Sequence, residues 1–199
     1  MSETKIVAHR GYSGKYPELT RRAYEEALKL PIHGIECDVR LTADRHLVCV
    51  HDRRIDRTST GAGLVSSLTL EQLMEYDYGT WRDQPSAGVL TFDSLLDLLT
   101  AAPRRVDLAV ETKHPNKFRG AVEVELARVL RDRGLAPEPD VTGADPTENA
   151  PDPDPDRTRV RAMSFSVLAM RRVGELLPGL PRVLLNEAGV RRQVRTGGL

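Results

Sequence analysis

The chain has 199 residues, 40% of them hydrophobic, with 29 basic and 29 acidic side chains and a formal net charge of zero. That length suits one domain able to bury a real core, and the balanced charge argues against nucleic acid as a partner. No run approaches the ~18 consecutive apolar residues of a membrane-spanning helix.

The first strand-like run, Lys5 to His9, starts almost at the initiator and leaves no room for the basic and apolar regions of a secretory leader. A cytoplasmic protein with no stable membrane anchor is therefore expected. Thr20 is placed to cap a helix whose Ala23, Tyr24, Ala27, Leu28 and Leu30 line one side. Two further strand runs, Gly34 to Leu41 and His46 to His51, are joined by a short turn around Ala43 to Arg45. So short a link has no space for a crossover helix, so this pair is expected to be antiparallel or sharply bent. Cys37 and Cys49 lie in these two runs, and a lone pair is no disulfide framework, so both are expected to be reduced.

Asp52 to Val89 breaks the rhythm with a turn-rich excursion, expected as an insertion beside the site, in which Thr69 and Gln72 have capping-box spacing. Thr91 opens a helix through Leu95, Leu96, Leu98 and Leu99, and a strand run follows from Val106 to Lys113. Val122, Leu126, Val129 and Leu130 recur at helical spacing before Gly134, a natural residue just past a helix end. Residues 136–156 alternate proline with aspartate and have few apolar side chains, as expected of a disordered surface loop. A fifth strand run at Val160 to Phe165, a helix opened by Ser166 and closed by Pro178, and a sixth run at Arg182 to Asn186 complete the pattern. Alternating strands and helices imply an α/β domain with a largely parallel sheet.

Chemistry concentrates at the strands. Glu36 and Asp38 flank Cys37, and on a strand that spacing sends both carboxylates to one face. Two acids held together repel unless compensated, so a hard divalent cation with oxygen ligands is their natural partner. Glu111 and Lys113 repeat the geometry on a later strand. His9 and His51 each end a strand run, and imidazoles with a pKa of ~6.5 suit an acid and a base working on opposite sides of a phosphorus atom. A histidine taken singly is more often structural, which is the expectation for His33, His46 and His114.

The ordered set His9-Arg10-Gly11, Pro17-Glu18-Leu19-Thr20, Glu36-Cys37-Asp38-Val39, Thr42, Val48, His51-Asp52, Arg57-Thr58 and Glu111-Thr112-Lys113 resembles the glycerophosphodiester phosphodiesterase family. The resemblance is strong from residue 5 to about 115 and weaker to about Glu187. It implies a (β/α)8 TIM barrel with its site at the C-terminal strand ends. It also implies metal-dependent hydrolysis of a small glycerophosphodiester to glycerol 3-phosphate and an alcohol. Residue by residue, it makes Glu36, Asp38 and Glu111 ligands of calcium or magnesium, His9 and His51 the acid and base, and Arg10 and Lys113 contacts to phosphate or substrate. Three carboxylates, one divalent ion, one phosphodiester, Arg10 and Lys113 sum to zero charge, which favours burial of the complex.

Two positions depart from the family pattern. Leu19 stands where asparagine is usual, and Arg45 where a glycine usually follows the aspartate, so the turn is expected to take another shape. Six strand candidates against a barrel's eight imply a single incomplete barrel over residues 1–199, unstable or weakly active alone. The alternatives are a related phospholipase-type phosphodiesterase acting on a lysolipid or sphingolipid, and a non-catalytic remnant.

Overall fold

The computed structural model describes residues 4–136 and 158–186. The expected proline-aspartate loop, apart from Ala136, and the tail from Arg191 lie outside the described residues. The element order is β1 (Val7–His9), α1 (Arg21–Leu28), β2 (Gly34–Leu41), β3 (Leu47–Cys49), α2 (Leu70–Met74), α3 (Phe92–Thr100), β4 (Asp107–Thr112), α4 (Ala121–Asp132), β5 (Val160–Ser164), α5 (Val167–Leu176) and β6 (Arg182–Leu184). No helix among the described residues is long and apolar enough to cross a membrane.

Strands β1, β2, β4, β5 and β6 lie side by side in that order, all parallel, so each βα step moves one place along the sheet. The exception is β3, which pairs antiparallel with β2 through Val39↔Cys49 and Leu41↔Leu47. Its partners on β2 follow those of β1, so β3 continues the same edge where β1 stops. The short turn through Arg45 thus folds β3 back as expected.

Register assigns the two faces. Ile35, Cys37 and Val39 alternate with Glu36, Asp38 and Arg40 along β2, and all eight residues of the strand are buried. Ile35 is level with Leu108 and Cys37 with Val110, and these in turn are level with Val160 and Ala162. This apolar set packs with Tyr24, Leu95, Leu96, Leu126, Leu130 and Val173 from the helices in one core. The helices therefore cover one face of the sheet, and the charged residues of β2 and β4 turn to the other.

Helix starts follow the sequence. Thr20, Thr91 and Ser166 each accept a backbone N–H from three residues on, and Thr69 with Gln72 makes both bonds of a capping box. Gly134 follows α4 with a left-handed φ of 63°. Leu30 differs from expectation: α1 ends at Leu28 and Leu30 is exposed. Pro31 explains this, because its ring disfavours helical backbone at the residue before it. The 52–89 excursion builds a small core of its own on β3, in which Ile55, Val65, Leu73, Tyr78 and Val89 pack against Val48 and Val50. Cys37 and Cys49 are free and buried.

Candidate active site

The charged face of the sheet collects the residues singled out from the sequence. His9 is level with Glu36, and Asp38 with Glu111, so neighbouring strands present them side by side. Glu36, Asp38 and Glu111 each bring a carboxylate oxygen within 4.8 Å of the others, and all three residues are buried. Lys113 Nζ donates to Glu111 Oε1 at 2.7 Å and lies 3.3 Å from Asp38 Oδ1. The Arg10 backbone N–H donates to Glu36 Oε2 at 3.0 Å, and Arg10 Nε lies 3.1 Å from Asp38 Oδ2. Both contacts to Asp38 fall off the hydrogen-bonding line, so neither of its fully buried oxygens receives a hydrogen bond.

These acids are under electrostatic stress. Burial, with Asp38 adding repulsion, pushes the Glu36 carboxyl up to about 8. Burial also raises Glu111, against the pull of Lys113. His9 is mostly exposed, with Nε2 3.7 Å from Glu36 Oε2. Partial burial and then the Arg10 charge hold its imidazole below the usual value.

His51 Nδ1 lies 2.7 Å from Asp52 Oδ1. Burial alone would raise the Asp52 carboxyl, but hydrogen bonds from Arg57 and His51 hold it below the ordinary range. An ionised Asp52 can only accept, so His51 carries its proton on Nδ1 and leaves Nε2 for chemistry.

A sequence profile of the glycerophosphoryl diester phosphodiesterase family matches residues 9–196. The chain belongs to this family. It is 47% identical over 189 residues to a probable glycerophosphodiester phosphodiesterase 1 of Mycobacterium tuberculosis, covering 92% of this chain and 64% of that protein. It is 32% identical to a glycerophosphodiester phosphodiesterase of Bacillus subtilis, over 92% of this chain and 59% of that one. The chain thus spans less than two thirds of the length of both relatives. Among solved structures, a glycerophosphodiester phosphodiesterase from Agrobacterium tumefaciens superposes with a TM-score of 0.71 at 27% identity, covering 90% of this chain and 66% of that one. The stepwise parallel sheet is accordingly the wall of a TIM-type barrel, with the charged face inward.

In this glycerophosphodiester phosphodiesterase family member, the acidic cluster fits a divalent cation. Its donors are all carboxylate oxygens, two of them buried without a hydrogen bond on Asp38, and calcium and magnesium both take such ligands. With all three acids ionised, as a bound cation would hold them, Arg10 and Lys113 leave one negative charge for the cation to compensate.

Four residues given no role by the sequence join the site. Glu18 accepts from Arg10 Nη1 at 3.0 Å and from Arg57 Nη1 and Nη2 at 2.9 and 2.8 Å. Burial would raise its carboxyl, but the bonds from Arg57 and Arg10 hold it low. Arg57 Nε also donates to Asp52 Oδ2 at 2.6 Å, which ties the His51 pair to the Arg10 pair. Arg40 Nε and Nη2 donate to the His51 carbonyl at 2.9 and 2.7 Å. Glu18, Asp52 and Arg57 stand in the recognised motifs without an evident task, whereas Arg40 was findable by counting two past Asp38.

His33, His46 and His114 sit outside this cluster, in local contacts with Ile6, Asp44 and Glu123. The turn after Thr42 corrects an expectation: Arg45 has φ 71°, the left-handed conformation a glycine there would adopt. Its guanidinium lies 3.9 Å over the Phe118 ring, an attraction that offsets some of the strain. Leu19 is left-handed too, at φ 60°, with its side chain buried.

Proposed function

We propose that this chain carries the catalytic half-site of a metal-dependent phosphodiesterase that hydrolyses glycerophosphodiesters to glycerol 3-phosphate and an alcohol. The observation that carries the reading is the buried trio Glu36, Asp38 and Glu111, held between Arg10 and Lys113 with His9 3.7 Å from Glu36. Bound to that trio, a calcium or magnesium ion supplies Lewis-acid polarisation of a phosphoryl oxygen and balances its charge.

The protein's own groups do the rest. Arg10 and Lys113 present fixed positive charge where a phosphodiester gains negative charge on its way to a five-coordinate transition state. One histidine removes the proton from the attacking oxygen as it bonds to phosphorus, whether water attacks directly or a glycerol hydroxyl attacks first and water then opens the cyclic phosphate. The other gives a proton to the departing alcohol oxygen as its bond to phosphorus breaks. Asp52 holds His51 in the tautomer with Nε2 free, and Arg57 steadies Asp52. The 52–89 excursion is read as an insertion that carries Arg57 to this network. A cytoplasmic place of action, supported by two free buried cysteines, belongs to the same proposal.

Measuring glycerol 3-phosphate release by His9→Ala and His51→Ala variants tests this. Each should lower the rate by ~10² to 10⁴ with the fold retained, while His46→Ala stays near wild type. Near-normal turnover by either variant removes that histidine from the mechanism.

A further inference from the structure

A shallow cleft is lined by Arg40, Arg53 and Lys117, with Ser66, Asn116 and Pro115 among its other walls. Each basic wall extends a segment that carries the site. Arg40 follows Asp38 on the same face of β2, Arg53 comes two residues after His51, and Lys117 four after Lys113. Two residues of strand cover roughly 6.6 Å, about the reach of a short alcohol from its phosphorus atom.

The lining of this cleft is cationic. Arg40 is only 7% exposed, and among the described residues its guanidinium hydrogen-bonds to the neutral carbonyl of His51 alone. Arg53 and Lys117 are exposed. Among the described residues, none of the three has a carboxylate within ion-pair distance, although nearly every other buried or half-buried charge around the site is paired. Asp38, Asp52 and Glu111 act on Arg40 only from beyond ion-pair distance, which leaves room for a closer anion. Two more cations on the rim raise the local concentration of anions.

We propose that this cleft is a head-group subsite for a second anionic group, a carboxylate or a phosphate monoester. Resting on the function proposed above, the protein then selects glycerophosphodiesters with anionic head groups over those with cationic ones. Glycerol itself is uncharged, so only the alcohol side of the substrate can supply that anion. A guanidinium offers a planar pair of donors to either group, and Lys117 adds a point charge that both accept.

The experiment uses the full-length protein with calcium or magnesium and two substrate pairs that differ by one anionic group. Glycerophosphoserine is set against glycerophosphoethanolamine, and glycerophosphoglycerol with a terminal phosphate against the same diester without it. The anionic member should be favoured by about tenfold in kcat/KM in at least one pair, and the pair that responds identifies the anion. The Arg53→Gln, Lys117→Gln double variant, with both positions on the surface, should bring that ratio close to one, as should Arg40→Gln if it folds. Arg128→Gln, on the exposed side of α4, should keep it. No preference in either pair, or a preference untouched by the double variant, would overturn the subsite. Calorimetric binding of all four diesters to the His9→Ala, His51→Ala double variant separates the two ideas. Tighter binding of the anionic member without turnover of any diester by the wild type would sink the hydrolase reading and leave the subsite standing. Turnover without any preference would do the reverse.

Discussion

Replacing Arg57 by alanine removes three charge-assisted hydrogen bonds, one to Asp52 and two to Glu18. Fully buried bonds of this kind are worth ~1.5–3 kcal/mol each. The Arg57 side chain is 46% exposed, however, and its ion pairs are partly screened. Neither acid is orphaned by the change, since Asp52 keeps His51 and Glu18 keeps Arg10. The expected loss is therefore about 1–2 kcal/mol, or about 3–6 °C in Tm for a chain of this size. The rate should fall more than stability alone explains, by about tenfold, because His51 and Arg10 lose their common brace. Arg57→Lys should recover part of the melting temperature but little of the rate, since one ammonium cannot span both carboxylates as the guanidinium fork does. Scanning calorimetry with a product assay on the same samples reads both quantities. An Arg57→Ala protein with wild-type Tm and turnover would refute the bracing role.

Two further outcomes follow from particular contacts. Glu123 is fully buried between His114 Nε2 at 2.6 Å and Arg172 Nη1 at 2.9 Å, so Glu123→Gln should cost about 2 kcal/mol at pH 7 in urea denaturation. Burial would raise the Glu123 carboxyl, but bonds from His114 and then Arg172 depress it, so its contribution is present above ~4.5 and lost as pH falls through the folded value. The wild-type advantage over Glu123→Gln should accordingly shrink on acidification, and an advantage constant down to pH 3 would contradict the pairing. Gly11 has φ 75°, and a Cβ there would meet the Ala23 carbonyl carbon at 2.8 Å, so Gly11→Ala should destabilise by about 2 kcal/mol or more in the same assay.

Much of the site was legible because strand parity is a rigid rule. Glu36, Asp38, Glu111 and Lys113 needed only a period of two to fall on one face, and the structure puts them there. The helix starts at Thr20, Thr69, Thr91 and Ser166 were equally local, each fixed by one hydroxyl and a backbone N–H three residues on. What escaped were contacts between segments far apart in the chain. Arg57 meets Glu18 across 39 residues, and nothing in the turn-rich stretch around Arg57 reveals that its guanidinium reaches back to the first loop. The Arg45 turn escaped for a different reason: an arginine in left-handed backbone reads as a changed turn, when its stacking on Phe118 helps it hold the glycine geometry.

The central claim is that the Glu36, Asp38 and Glu111 carboxylates form a metal centre on which phosphodiester hydrolysis depends. It is tested most directly by titrating the chelated full-length protein with calcium or magnesium while following Tm and glycerol 3-phosphate release together. Both should rise along one curve in the wild type, with a stabilisation of about 2.7 kcal/mol at a hundredfold excess over Kd. Glu36→Ala and Glu111→Ala should lose both responses. Full turnover in excess chelator, or a metal-induced rise in Tm that persists in both variants, would contradict the account.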